Sequence, residues 1–347
     1  MKDFSKFNFK MKYTRGDLVK KYADSDLNTL LTIDLMDCQI TELDENVFKG
    51  LENLCYINLH NNQLEKIHSD TFNGLKSVIS IRIYQNKLNF LHKDIFKGLN
   101  NLIKLSINNN YFREIDKDLF KGLNNLITLN LSDNKLEHLD KAVFNGLTSL
   151  SKLTISRNQL ISIDMNLFSQ LISLQTLSLN SNSLTELHEY VFSELESLKC
   201  IHLFNNNLNR LSPNIFRGLV HLVKIDLYYN QLEEIHQDTF KDLVNLNKIG
   251  MGFNKLKDIP VELFNGLKSI KTISLDYNQI KSLNKNVFKG LFSLERIQIA
   301  GNLFQNENSL ELYLENNVTF VSFRQKRNEN NIDSIIQIQP VVTIIKF

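Results

Sequence analysis

The sequence predicts an α/β repeat solenoid of twelve turns, each adding one short strand to a parallel sheet and returning through irregular or 3₁₀-like backbone. Three observations predict it. Asparagine recurs every 24 residues, at Asn62, Asn86, Asn110, Asn134, Asn158, Asn182, Asn206, Asn230, Asn254, Asn278 and Asn302, with Cys38 holding that place in the first turn. Phenylalanine keeps the same step from Phe48 to Phe288, each followed three residues later by leucine, Leu51 to Leu291. Ahead of each asparagine runs a Leu-x-x-Leu-x-Leu alternation, as in Leu126, Leu129 and Leu131 before Asn134 and Leu136.

The Leu-x-Leu step has the period of a strand that buries one side only. Later apolar residues of each turn follow no strand period, and too few remain for a long helix, which predicts the irregular return. The chain leaving the strand must bury backbone groups that no neighbouring strand pairs. A side-chain amide supplies both donor and acceptor, so the asparagines are expected to form a structural ladder, with Cys38 losing part of the pairing. The phenylalanines are expected to form a second ladder. Glycine two residues after phenylalanine, from Gly50 to Gly290, gives way to Gln170, Glu194 and Asp242, so a positive φ is not obligatory there. Burying one large apolar side chain contributes roughly 1.5–3 kcal/mol, largely offset by about 1–2 kcal/mol of backbone entropy per residue, so stability comes from stacking turns.

This repeat closely resembles the leucine-rich repeat in its typical 24-residue animal form, over about residues 27–304. It is similar to the ectodomains of Toll-type receptors and Slit-like proteins. The resemblance implies a horseshoe with a parallel concave sheet and an irregular or 3₁₀ convex side. It also implies a protein-binding module in extracellular recognition, adhesion or receptor-type signalling, placed outside the cell or at its surface. The alternative is an intracellular scaffold or regulatory subunit that binds a cytosolic protein, which three unpaired cysteines in a reducing compartment would suit. Residues 1–26 are expected to form an N-terminal leader or cap, and 305–347 a C-terminal cap without cysteines, the period stopping after Phe304. Leu310, Leu312, Leu314, Val318, Phe320, Val321 and Phe323 alternate like strands, and the β-branched tail from Ile332 to Phe347 is expected to pair with the last repeat.

Composition narrows the partner. Hydrophobic residues make up 42% and charged residues 22%, as in globular chains, and a net charge of +2 with a pI near 8.2 gives little long-range field. Nucleic acid and anionic membranes are therefore not expected as main partners. Cys38, Cys55 and Cys200 lack the spacing of a disulfide framework or zinc site, so no metal is expected. Residues 1–26 show no apolar signal-peptide core, and no stretch has the length of a membrane span.

No phosphate-binding loop, dinucleotide fingerprint, nucleophile elbow or zinc-protease motif occurs, and no convergent acid, base or nucleophile set appears, so neither an enzyme nor a cofactor is predicted. His68, His92, His188 and His236 share one column with Asp44, Asp116, Asp140, Asp164, Ser212 and Asn284, all turn-capping types. Arg15-Gly16-Asp17 matches an integrin-binding tripeptide but stands alone in a leader expected to be flexible, and Asn317-Val318-Thr319 is a glycosylation sequon.

In this family the concave sheet is the usual binding surface, and the period picks out its outward positions. Residues two and one before the ladder asparagine run through His60 and Asn61, Tyr84 and Gln85, and then polar pairs to Asn180 and Ser181. They then become Phe204 and Asn205, Tyr228 and Tyr229, Gly252 and Phe253, Asp276 and Tyr277. Exposed aromatics anchor interfaces, so the partner-binding patch is expected at Phe204, Tyr228, Tyr229, Phe253 and Tyr277. His202, Lys224, Asp226, Lys248, Ser274 and Asp276 are expected as its polar rim, and Gly250 with Gly252 as a shallow dent beside it. Arg82, Lys104, Lys152, Arg157, Lys224, Lys248 and Arg296 against Asp34, Asp37, Asp133, Asp226 and Asp276 make no basic stripe, which points to a protein ligand.

Overall fold

The computed structural model describes residues 11–304, 311–314, 320–322 and 343–346. The chain divides into two compact units, residues 1–160 with 166–173, and 161–165 with 174–347. The sequon at Asn317 lies outside the described residues.

The first unit opens with β1 (Lys12–Tyr13) and α1 (Arg15–Lys21), then a 3₁₀ turn at Leu27–Thr29. It continues with β2 (Thr32–Asp34), β3 (Glu42–Leu43), β4 (Tyr56–Asn58), β5 (Ser80–Arg82), β6 (Lys104–Ser106), β7 (Thr128–Asn130) and β8 (Lys152–Thr154). From β2 through β4 to β8 each strand pairs in parallel with the next in one register: Ile33, Ile57, Ile81, Leu105, Leu129 and Leu153 are successive partners, all buried. The second unit repeats this with β9 (Thr176–Ser178), β10 (Cys200–His202), β11 (Lys224–Asp226), β12 (Lys248–Gly250), β13 (Thr272–Ser274) and β14 (Arg296–Gln298). There Leu177, Ile201, Ile225, Ile249, Ile273 and Ile297 are the successive partners.

Each strand of the repeating series, β2 and β4 to β14, is three residues long because the chain turns sharply after it. The residue before each ladder position, from Asp37 and Asn61 to Phe253 and Tyr277, sits in the left-handed region at φ 52–57°. That turn drops the asparagine into the core. In the first unit Asn62 Nδ2 donates to Leu35 O of the preceding turn at 2.7 Å and to Leu59 O of its own at 3.0 Å, while Oδ1 accepts from Ile40 N at 3.0 Å. In the second unit Asn254 does the same with Leu227 O at 2.9 Å, Met251 O at 3.1 Å and Leu232 N at 3.0 Å. Cys38 at the first turn donates only locally, to Met36 O at 3.2 Å.

The return leg is a run of tight i+3 turns, such as Val47 N to Asp44 O, Lys49 N to Asn46 O and Leu51 N to Phe48 O, each at 3.1 Å. Its phenylalanines are buried and stack, with ring centroids 5.9 Å apart for Phe48 and Phe72 and 6.4 Å for Phe192 and Phe216. Side chains of the capping column close its entry: Asp44 Oδ1 accepts from Asn46 N at 3.0 Å, and the Nδ1 atoms of His68 and His236 accept from Asp70 N and Asp238 N, both at 3.2 Å. These imidazoles serve the backbone. In the glycine column Asp242 keeps a left-handed φ of 71°, whereas Gln170 and Glu194 do not.

Two expectations at the ends are corrected. Arg15-Gly16-Asp17 is not in a flexible leader but forms the first turn of α1: Thr14 caps it, and Asp17 Oδ2 accepts from Thr14 N at 2.9 Å and Thr14 Oγ1 at 2.7 Å in a capping box. Leu18 of this helix is fully buried, and Tyr22 at its end accepts from Asp34 N of the edge strand β2 at 2.9 Å. At the other end the strand period does not stop after Phe304. β15 (Glu311–Leu314) pairs with β17 (Thr343–Lys346), and between them in sequence β16 (Phe320–Ser322) pairs with β14, Arg296 opposite Phe320, which continues the same step without an asparagine column.

Candidate partner-binding face

The alternation of a strand points its first and third residues out of the core, and the two residues before each asparagine continue that face. In the second unit this brings Lys224, Asp226, Tyr228 and Tyr229 of the β11 turn beside Lys248, Gly250, Gly252 and Phe253 of β12, with Asp276 and Tyr277 of β13 next in line.

Tyr229, Phe253 and Tyr277 form a continuous ring stack: 4.3 Å between the first two centroids with planes 16° apart, 4.4 Å and 15° between the second two. Identical left-handed backbones one strand spacing apart hold the rings parallel. The ring of Tyr277 in turn lies over Gly301, where an added Cβ would stand 2.6 Å from its Cδ1. The faces of the rings are thus used within the stack, and their edges and two hydroxyls meet solvent; Tyr229 is 53% and Tyr277 42% exposed. Phe204, half-buried, stands in the row of Tyr228 and outside the stack.

Tyr228 turns the other way. Its ring covers Gly250 and Gly252, with added Cβ atoms there 1.9 Å from Cε2 and 2.9 Å from Cε1. The expected dent is therefore filled by an aromatic ring seated on two residues without side chains. Burial pushes the Tyr228 phenol above its usual range.

The expected polar rim also divides. His202 Nδ1 stands 2.7 Å and Lys224 Nζ 2.9 Å from Asp226 Oδ2, and Asp226 is only 7% exposed, so these three form a closed ion-paired cluster instead of a rim. Burial raises the Asp226 carboxyl, but bonds from His202 and Lys224 outweigh it and hold the group below the usual range. Ser274 is fully buried and donates to Gln298 Oε1. Lys248 stays half-buried on the face in register with Lys224. Asp276 has its carboxylate over Gly252, and its buried Oδ1 has no hydrogen-bond partner. Sequence reasoning missed the left-handed row and the seat for Tyr228, although Gly250, Gly252 and Gly301 were their visible signal.

Among the described residues no group of three or more His, Cys, Asp or Glu side chains could hold a metal, and no helix is long and apolar enough to cross a membrane.

A leucine-rich-repeat model matches residues 28–88, 59–112 and 245–304, and a BspA-type leucine-rich-repeat region in 6 copies matches residues 113–247. The chain is a leucine-rich-repeat protein. It is similar to a leucine-rich-repeat protein of Leptospira interrogans, with 26% identity and a TM-score of 0.68 over 92% of this chain and 84% of that one. Toll of Drosophila, solved in a glycosylated complex with Spatzle, shares 21% identity and a TM-score of 0.68 over 84% of this chain and 42% of Toll. TLR13, solved with ssRNA13, shares 24% identity and a TM-score of 0.59 over 80% of this chain and 48% of TLR13. The last two show the fold alone, and this leucine-rich-repeat protein spans less than half of either. No curated protein sequence matches it.

Proposed function

We propose that this leucine-rich-repeat protein is a protein-binding module whose partner docks on the sheet face of β10 to β14. The observation that carries the reading is the stack of Tyr229, Phe253 and Tyr277. The left-handed backbone belongs to the repeat, since Asp37, Asn61 and Ser181 share it, but aromatic side chains there do not. A bulky residue at positive φ costs roughly 1–3 kcal/mol, and polar residues serve the same backbone position elsewhere. Rigid aromatic edges with hydroxyls are the side chains that anchor protein interfaces. The complex of Toll with Spatzle supports a protein ligand, and extracellular recognition, adhesion or receptor-type signalling is the setting favoured. An intracellular scaffold is the second reading, favoured by three free cysteines. The complex of TLR13 with ssRNA13 makes RNA the rival ligand; it is disfavoured because Asp226 already engages Lys224 and no basic stripe crosses the face among the described residues.

A photo-crosslinker at Phe253 and another at Lys97 on the return leg test this in the native cell. Protein adducts at 253 alone, abolished by Tyr229→Ser, support the reading; RNA adducts, or equal labelling at both sites, overturn it. The compartment in which the adduct forms chooses between the two settings.

A further inference from the structure

Two carboxylates share the face of the second unit, and they are treated oppositely. Asp226 Oδ2 has Lys224 Nζ at 2.9 Å and His202 Nδ1 at 2.7 Å. Asp276 has no such partner among the described residues: its Oδ1 is buried over Gly252 without a hydrogen bond, and the nearest atoms there are its own carboxyl and the ring of Tyr228, 2.7 Å and 2.9 Å from the same point above Gly252. The described cations of this face, Lys224, Lys248 and Arg296, stand on other strands at the first strand position, a backbone level four residues, or about 13 Å, before that of Asp276. Next to Asp276 in sequence is Tyr277, the exposed end of the ring stack.

We infer that Asp276, flanked by Tyr228 and Tyr277, is the docking point for a basic side chain of the partner, a lysine ammonium or an arginine guanidinium. The inference rests on the sheet-face reading above and adds the chemistry of the partner to it. A carboxylate flanked by two phenols complements a cation twice, through its charge and through the oxygens of the phenols. An apolar or acidic partner side chain pressed onto the same spot would take water from the Asp276 carboxylate without supplying a donor, and a neutral donor would leave its charge uncompensated. The closed cluster at Asp226 has no such vacancy for a cation, since Lys224 and His202 already fill it. Burial raises the Asp276 carboxyl above its ordinary range, and an arriving cation pulls it back down, so docking releases a proton and strengthens as pH rises through that range.

A random 12-residue peptide library displayed on phage and selected against the full chain tests this, followed by titration of the selected synthetic peptides onto Asp276→Asn and onto Tyr229→Ser with Phe253→Ser. The inference expects peptides that need the two aromatics, carry Lys or Arg at a shared position, and lose about tenfold or more in affinity on Asp276→Asn or on changing that residue to glutamine. It also expects their affinity for the wild-type chain to fall as Asp276 protonates. Peptides that need Tyr229 and Phe253 but have no shared basic residue, or that bind Asp276→Asn unchanged, overturn the inference and leave the sheet-face reading standing. Peptides indifferent to the aromatic variants, or no selected peptides at all, overturn both.

Discussion

The ring of Tyr228 lies so close over Gly250 that a β-carbon on that glycine would stand 1.9 Å from Tyr228 Cε2. Gly250 itself has an ordinary strand backbone, so alanine fits the chain there and only the ring must leave. Gly250→Ala is expected to lower stability by about 1–3 kcal/mol, the cost of overpacking, while far-ultraviolet dichroism stays unchanged. The Tyr228 phenol should titrate closer to its ordinary range once it loses its buried seat, as ring NMR resonances against pH would record. A ring that keeps its shift in the variant would show that the seat does not bury it.

Asp226 and Asp276 should respond to pH with opposite signs. Asp226 titrates below its usual range in the folded chain, so its contribution is present above the unfolded value, about 3.9, and is lost as pH falls through the folded one. Asp226→Asn should therefore cost about 1–3 kcal/mol at pH 7, leaving Lys224 and His202 without their anion.

Asp276 binds its proton more tightly folded than unfolded, so its charge opposes folding at neutral pH, and that opposition fades as pH falls through its raised value. Asp276→Asn should stabilise the protein at pH 7 by up to about 1 kcal/mol and give no advantage near pH 3. Urea midpoints at both pH values check each variant; destabilisation by Asp276→Asn at pH 7 would contradict this account.

Asn134 supports four backbone groups: the carbonyls of Ile107, Leu131 and Ser132 at 3.1–3.2 Å, and the amide of Phe112 at 3.3 Å. Asn134→Ala strands the Phe112 amide in the core and leaves the carbonyls of Ile107, Leu131 and Ser132 with only Asn110 Nδ2, Asn158 Nδ2 and Asn109 N as donors, and a loss of about 1–3 kcal/mol is expected by chemical denaturation. Cys38→Ala at the first turn removes a thiol contact to Met36 O and an exposed one from Lys21 Nζ, and should cost far less.

At the other end of the scale, Asp17→Ala opens the capping box of α1 and should cost about 1 kcal/mol. Hydrogen exchange of the Leu18 and Val19 amides would register the fraying without a change in the strands beyond.

Columns made most of the fold legible in the sequence. A single Leu-x-Leu step is ambiguous, but Asn62, Asn86 and Asn110 at one spacing fix register, strand face and ladder together, and the histidine column was readable as caps because aspartate and serine share it. What escaped was decided by neighbours in three dimensions. The period puts Asp226 on the outward face correctly, yet Lys224 and His202 close over it. Tyr228 and Tyr229 are equivalent as letters, and only the glycines on the adjoining strand show that one lies down while the other stacks. Strand β16 was legible as an alternation through Phe320 and Val321, but its register, Phe320 opposite Arg296, was not, because no ladder residue announces it.

The asparagine ladder has a direction. Each asparagine reaches backwards, as Asn62 does to Ile40 N and Asn86 to Leu64 N, so a turn whose carbonyl is already met by its own asparagine still leaves its backbone amide unanswered until the following turn supplies the next one. During synthesis from the N-terminus every newly made turn must therefore wait for about one more repeat to emerge before its polar groups are closed. The growing chain always carries one unfinished rung at the ribosome side, which makes that rung, and not the mature protein, the place where chaperones and proteases would find it.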